Sequence, residues 1–260
     1  MNDIQLLDLL PLWAIFLCIV VLILSAAWAG IAFVRWRKIK DTINENSHLN
    51  SIVTANLALL AFILAFTFGL ATTRYDARKQ YLLEEVNAIE TTWLRAGLIG
   101  EPQGSEIKEL LEEYVRIRVE AADKPELIME TKKQAKIIQD KIWNIVIEWI
   151  DETPHDPVNA LFIASINNMF DSQTKRTTVF STYRIPSLIW TALFVLVIFS
   201  MFAVGYLFGK MSKTEWYMIV ALALAFSSVI LVIVDLDSTS GYIQIDYQPT
   251  FDLYERMMSR

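Results

Sequence analysis

The sequence predicts an all-α membrane protein, with four transmembrane helices and a helical extramembrane domain between the second and the third. Three observations lead there. The 260 residues are 54% hydrophobic yet 20% charged, too apolar for one soluble domain and too charged to lie wholly in a bilayer. The apolar residues gather in long uncharged runs. Between the second and third runs they recur instead at spacings of three and four, the period of an amphipathic helix.

The first run, Leu12 to Val34, is free of charge for 23 residues, enough at 1.5 Å per residue to cross a hydrocarbon core of about 30 Å. Ile52 to Thr73, Pro186 to Phe208 and Trp216 to Val234 meet the same test. Each run stops at a charge or an aromatic anchor: Arg35 and Trp36, Arg74 and Tyr75, Lys210, and Asp235 in turn. The chain therefore divides into a first transmembrane hairpin (1–75), a helical extramembrane domain (76–185), a second hairpin (186–235) and a C-terminal tail (236–260). The N-terminal MNDIQLLDLL has no basic stretch and the run behind it is long, so it reads as a retained anchor rather than a cleaved signal.

In the middle region, Ile107, Leu110, Leu111, Tyr114 and Ile117 form one helical stripe, and Ile138, Ile142, Ile145, Val146 and Trp149 form another. Breaks fall at Glu101-Pro102-Gln103-Gly104, at Lys124-Pro125 and at Pro154-His155-Asp156-Pro157, where Asp156 is placed to cap a helix that Pro157 begins. About four helices are expected. Nothing breaks the helix between the second span and Leu98, so Tyr75 to Leu98 is expected to continue that span as one rod.

Sidedness has two opposing signals. The first link carries Arg35, Arg37, Lys38 and Lys40 while the N-terminus carries Asp3 and Asp8, which by the positive-inside rule puts the link in the cytoplasm. Arg74, Arg78, Lys79, Lys175, Arg176 and Arg184, at the membrane ends of the middle region, pull the other way. The net charge of −6 is spread along the chain and gives no footprint for nucleic acid.

No Asp, Glu, Lys, Arg or His lies inside a span, which argues against a proton-coupled pump but not against a passive pore gated by a hydrophobic constriction. In the second span Ala61, Ala65 and Gly69 make a small-residue face suited to close helix packing. Beside it, at 100° per residue, Ala55, Leu59, Phe62, Phe66, Gly69 and Thr73 share one line. Phe62 and Phe66 face either a symmetry axis, as stacked aromatic collars, or lipid or another helix. Asn56 and Thr54, like Ser227 and Ser228 in the fourth span, are neutral groups able to bond between helices, and Asn56 is alternatively placed to face a hydrated vestibule.

Catalytic and metal chemistry has little to rest on. Cys18 is the single cysteine, and His48 and His155 are far apart without metal-ligand spacing. The stretch from Asp235 to Gly241 resembles a calcium loop in part, with its glycine at the seventh place rather than the sixth and no glutamate at the twelfth. Asp235 and Asp237 are therefore only a weak candidate cation site, with Asp246 and Asp252 as possible additions. No enzymatic motif, phosphate-binding glycine loop or cofactor signature is present.

The run from Leu60 to Tyr75, LAFILAFTFGLATTRY, resembles the pore helix of the bestrophin anion channels, with aromatic residues four apart and a Thr-Arg-aromatic exit. Glu84 to Ala96, EEVNAIETTWLRA, together with Asp235-Leu236-Asp237, resembles the signatures of a bestrophin-like family of bacterial membrane proteins, a likeness that covers nearly the whole chain. The resemblance implies a multi-pass protein of the bacterial inner membrane that assembles with itself, as a pentamer, into a passive channel for inorganic ions, more suited to anions. It implies a neck of Phe62 and Phe66 with Leu59 beside them, the third neck position falling at Ala58, too small for a fully closed third ring. Asn56, Thr73, Arg74, Arg78 and Lys79 would then stand at the pore mouths. From the residues themselves no cofactor and no enzymatic activity are expected, and the acidic calcium clasp of animal bestrophins has no clear counterpart. The competing reading is a membrane-anchored interaction or sensor module, in which the helices carrying Trp93, Trp143 and Trp149 bind a partner and the spans only anchor it.

Overall fold

The computed structural model describes residues 10–37, 43–122, 124, 127–152, 157–181, 183–211, 215–238 and 241–259. Asp3, Asp8, Lys38, Lys40, Pro125, the turn Pro154-His155-Asp156, Thr239 and Ser240 lie outside the described residues. Every regular element among the described residues is a helix: α1 (Leu12–Arg37), α2 (Ile43–Ala96), α3 (Gln103–Ala121), α4 (Ile128–Glu152), α5 (Pro157–Ser181), α6 (Ser187–Lys210), α7 (Trp216–Asp237) and α8 (Gln248–Met258). Four of them, α1, α2, α6 and α7, are long and apolar enough to cross a membrane. The chain forms two compact units, Met1–Tyr75 with Arg184–Ile243, and Asp76–Tyr183 with Gln244–Arg260.

The first unit is built on the pairing of α1 with α6. Without water to drive apolar faces together, helices in a bilayer associate where small side chains let their backbones meet. Here that place is Ala27 against Gly205: a Cβ on Gly205 would fall 1.9 Å from the Ala27 carbonyl oxygen, and one on Gly30 would fall 2.2 Å from that of Phe202. The small-residue face of α2 does not play this part within the chain, since Ala61 and Ala65 are exposed and Gly69 has no neighbour within 4 Å of the Cβ it lacks. α7 borders α1 and buries Ile219, Ala223, Ile230 and Ile233. α1 ends in Arg37, whose guanidinium lies over the rings of Trp36 and Phe33, the mixture of charge and aromatic surface expected where a span leaves the hydrocarbon.

The second unit has an apolar core of its own. Val86, Ile89 and Trp93 of α2 meet Ile107, Leu111 and Tyr114 of α3, Ile138, Ile142 and Val146 of α4, and Phe162, Ile166 and Met169 of α5. Each large side chain buried there contributes about 1.5 to 3 kcal/mol. α5 begins at Pro157, as a proline at the first helical position predicts. The residues read as a tail include α8, which packs on α3 through the same core by Leu253 and Met257.

α2 is unbroken for 54 residues. Leu60, Leu64, Thr67 and Ala71 are buried in its part of the first unit, and Leu82, Glu85, Val86, Ile89 and Trp93 in its part of the second. Thr67 is tolerated there because its hydroxyl donates to the Ile63 carbonyl at 2.7 Å.

Candidate functional site

The aromatic line on α2 is uncovered. Phe62 is 65% exposed, Phe66 55% and Leu59 49%, and Ala55, Ala58, Gly69 and Thr73 are exposed with them. At 100° per residue this line lies about 160° around the helix from the buried line of Leu60, Leu64, Thr67 and Ala71. One side of α2 thus holds it in its unit, while the opposite side presents two phenylalanine rings one turn apart. Thr73 donates its hydroxyl to the Gly69 carbonyl at 2.9 Å, so the polar end of the line is internally satisfied.

The other residues named for the pore divide. Asn56 is half-buried about 120° from Phe62, and its carbonyl accepts a bond from the Ser200 hydroxyl of α6. Arg74 is half-buried and Lys79 exposed, both off the aromatic line. Arg78 is buried at 5% exposure, about 160° from Phe62, and so turns away from any axis that the rings would face. The three basic residues follow the second span in sequence, but the helical period puts Arg74 and Arg78 one turn apart on one side, about 40° from each other, and Lys79 about 100° from Phe62 on the other.

Asp235 and Asp237 close the last turn of α7 and are both buried. Asp235 accepts the backbone N–H of Tyr242 at 2.7 Å on one oxygen and that of Ile243 at 3.0 Å on the other. Asp237 accepts the N–H of Ile185 at 3.0 Å. Each carboxylate therefore brackets a neighbouring segment by charge-assisted bonds to its backbone. Among the described residues no three His, Cys, Asp or Glu side chains converge as metal ligands would.

The stretch from Glu84 to Ala96 gains a physical account. Thr92 donates its buried hydroxyl towards the carbonyls of Ala88 and Ser165. The Trp93 indole N–H reaches Glu112 at 3.1 Å, and Lys108 stands over the Trp93 ring. Arg95 bonds the Leu161 carbonyl at 2.6 Å, and Glu90 takes a two-pronged bond from Arg256 of α8.

At its centre is a buried charged cluster that the sequence reading did not single out. Glu85 accepts the Tyr114 hydroxyl at 3.0 Å and Nη2 of Arg118 at 2.7 Å on one oxygen, and pairs with Nε of Arg176 through the other. Burial by itself would raise the Glu85 carboxyl, but the attraction of Arg118 and then Arg176, with the Tyr114 hydrogen bond, outweighs it and holds the group below the usual carboxylate range. Burial is also the first cause that pushes the Tyr114 hydroxyl up. Arg176 is held down by burial and then by the nearby Arg118. A signal for Glu85 was available: a lone carboxylate among Leu82, Val86, Ile89 and Trp93, all on the apolar side of one helix, must find buried cations.

The sequence matches the bestrophin-like domain family over residues 17–250. Among solved structures, the fold is similar to that of a membrane protein variant with a proline-to-alanine change, at 12% identity over 95% of this chain and 97% of the other, TM-score 0.67. It is similar to a bacterial bestrophin homologue from Klebsiella pneumoniae, at 10% identity over 94% and 96% of the two chains, TM-score 0.65. An isoleucine-to-threonine variant of the Klebsiella homologue aligns at 13% identity over 95% and 99%, TM-score 0.61. No relative among curated proteins matches the sequence. With the match spanning all four apolar helices and both compact units, the chain belongs to the bestrophin-like family.

Proposed function

We propose that the protein is a passive ion channel of the bacterial inner membrane, formed by several copies of this chain, five by resemblance, around an axis lined by α2. Phe62 and Phe66 form its neck, with Leu59 and Ala58 beside them. The observation that carries this reading is the uncovered aromatic line of α2, set opposite the side that holds the helix in its own unit. A free chain that left two phenylalanines and a leucine outward on a helix this long has a use for them in an assembly or a bilayer. The residues after Thr73 leave the membrane as the start of an extramembrane domain between the second and third spans. The activity is transport, not catalysis.

Anion conduction is the leading reading of selectivity. The edges of aromatic rings carry partial positive charge, and inward edges would attract an anion that has shed part of its water. Arg74 and Lys79 remain as basic residues at the mouth, and Arg78, being buried, no longer supports this reading. One observation favours cations instead. Exposed Asp76 and half-buried Glu84 each lie within about 40° of the Phe62 direction on α2, with no basic residue in that arc.

The test is ion flux from liposomes holding the purified protein, with the reversal potential in a salt gradient. Flux that rises when Phe66 or Phe62 becomes alanine supports the neck. Background flux that neither substitution changes refutes the channel, and a membrane-anchored interaction module then becomes the better reading. The sign of the reversal potential decides between anions and cations.

A further inference from the structure

The Glu85 cluster holds more positive charge than negative. Both oxygens of Glu85 are engaged, one by Tyr114 and Arg118 and the other by Arg176. Glu85 is the ion-pair partner of both guanidiniums, so the group of three carries a net charge of about +1 inside the second unit. Each guanidinium has five N–H donors in a fixed fork. Arg118 spends Nη2 on Glu85 and on the Tyr114 hydroxyl, while its buried Nε has no hydrogen-bond acceptor among the described residues.

An excess buried charge is costly, because removal from water is not repaid where a counter-ion is missing. The aromatic partners repay part of it: Arg118 lies over the Tyr114 ring, 5.2 Å to the centroid, and Arg176 over Phe180 at 5.5 Å. Neither ring removes the charge. The side chains of Arg118 and Arg176 keep 13% and 11% of their surface exposed, so both guanidinium-bearing side chains still touch solvent.

We infer that Arg118 and Arg176 bind a small inorganic anion of the halide or nitrate class, which brings the cluster to neutrality. The site is built by α2, α3 and α5 of one chain, is separate from the proposed pore neck, and does not depend on conduction. Its ligand is selected by size and single charge: it must fit against side chains that are almost wholly covered and add one negative charge to the group. A gluconate ion is too large and serves as the control.

Thermal melting of the full-length protein in detergent, at fixed ionic strength with chloride or nitrate replacing gluconate, tests the site. The expected result is a saturable rise in Tm, by ~5 °C at about a hundredfold excess over Kd. Arg176→Gln leaves Glu85 and Arg118 as a neutral pair and is expected to abolish the rise. A wild-type Tm indifferent to the anion, or the same rise in Arg176→Gln, overturns the inference. Bromide soaked into crystals of the wild-type protein needs no variant: anomalous density against the two guanidiniums supports the site, and its absence there overturns it.

Discussion

Asp235 and Gly241 stand so close that a Cβ on the glycine would lie 1.9 Å from the carboxylate oxygen of the aspartate. No side chain fits at Gly241 while Asp235 holds the N–H groups of Tyr242 and Ile243. Gly241→Ala is therefore expected to destabilise the protein by ~1 to 3 kcal/mol through overpacking. Asp235→Asn, which keeps the shape but loses the charge and sets an NH2 donor against one of the two backbone N–H groups, is expected to cost ~1.5 to 3 kcal/mol. Chemical denaturation in detergent measures both, and wild-type stability in Gly241→Ala would show that the bracket is not closed in solution.

Two glycines on proposed spans should respond in opposite ways. Gly205→Ala drives a methyl group into the backbone of Ala27, which cannot yield without parting α1 from α6, and a loss of ~1 to 3 kcal/mol is expected. Gly69→Ala adds its methyl group to open space within the chain and is expected to be neutral or to gain up to ~1 kcal/mol of helix propensity. Parallel melting curves check the pair. Equal effects would remove the distinction drawn here.

Acid should act through Glu85. Its carboxyl is lower in the folded protein than in the unfolded chain, so the cluster contributes its full stability at neutral pH. That contribution begins to fall as pH drops below the ordinary carboxylate value, and is lost as pH continues down through the lowered folded value. Glu85→Gln leaves two guanidiniums without their carboxylate and is expected to cost ~3 to 5 kcal/mol at pH 7. The same variant should flatten the acid limb of the stability curve, measured by melting across pH, because the group that titrates there is gone.

Conduction should depend on Phe62 and Phe66 without the fold depending on them. More than half of each side chain is exposed in the single chain, so truncation removes little packing within it. Phe66→Ala is expected to raise ion flux roughly tenfold, equal to a barrier lowered by ~1.4 kcal/mol, by widening a hydrophobic constriction. Liposome flux with unchanged circular dichroism is the check. A fall in flux to background with the helices intact would argue that the rings support the assembly and not the neck.

The spans were legible because twenty apolar residues without a charge leave few alternatives, and three of the four begin within a residue of the expected position. The continuity of α2 was legible too, since no proline or glycine interrupts Tyr75 to Ala96. α8 was passed over, although Thr250, Leu253 and Met257, all buried, carry the helical spacing. The cluster of Glu85, Tyr114, Arg118 and Arg176 was illegible as a set, because partners 33 and 91 positions from Glu85 are brought to it only by packing. The basic residues after the second span look alike along the chain, but burial divides them: Arg78 is buried, Arg74 half-buried and Lys79 exposed.

The unbroken course of α2 constrains how the sequence can change. Leu60, Leu64, Thr67 and Ala71 share their direction on the helix with Leu82, Glu85, Ile89 and Trp93, all of them buried. A single residue inserted near Asp76 would swing the later group about 100° out of phase with the earlier one along α2. Insertions near whole numbers of turns, such as seven or eleven residues at ~3.6 per turn, keep the two groups in phase along the helix, while substitutions at exposed positions such as Gln80 leave both groups as they are.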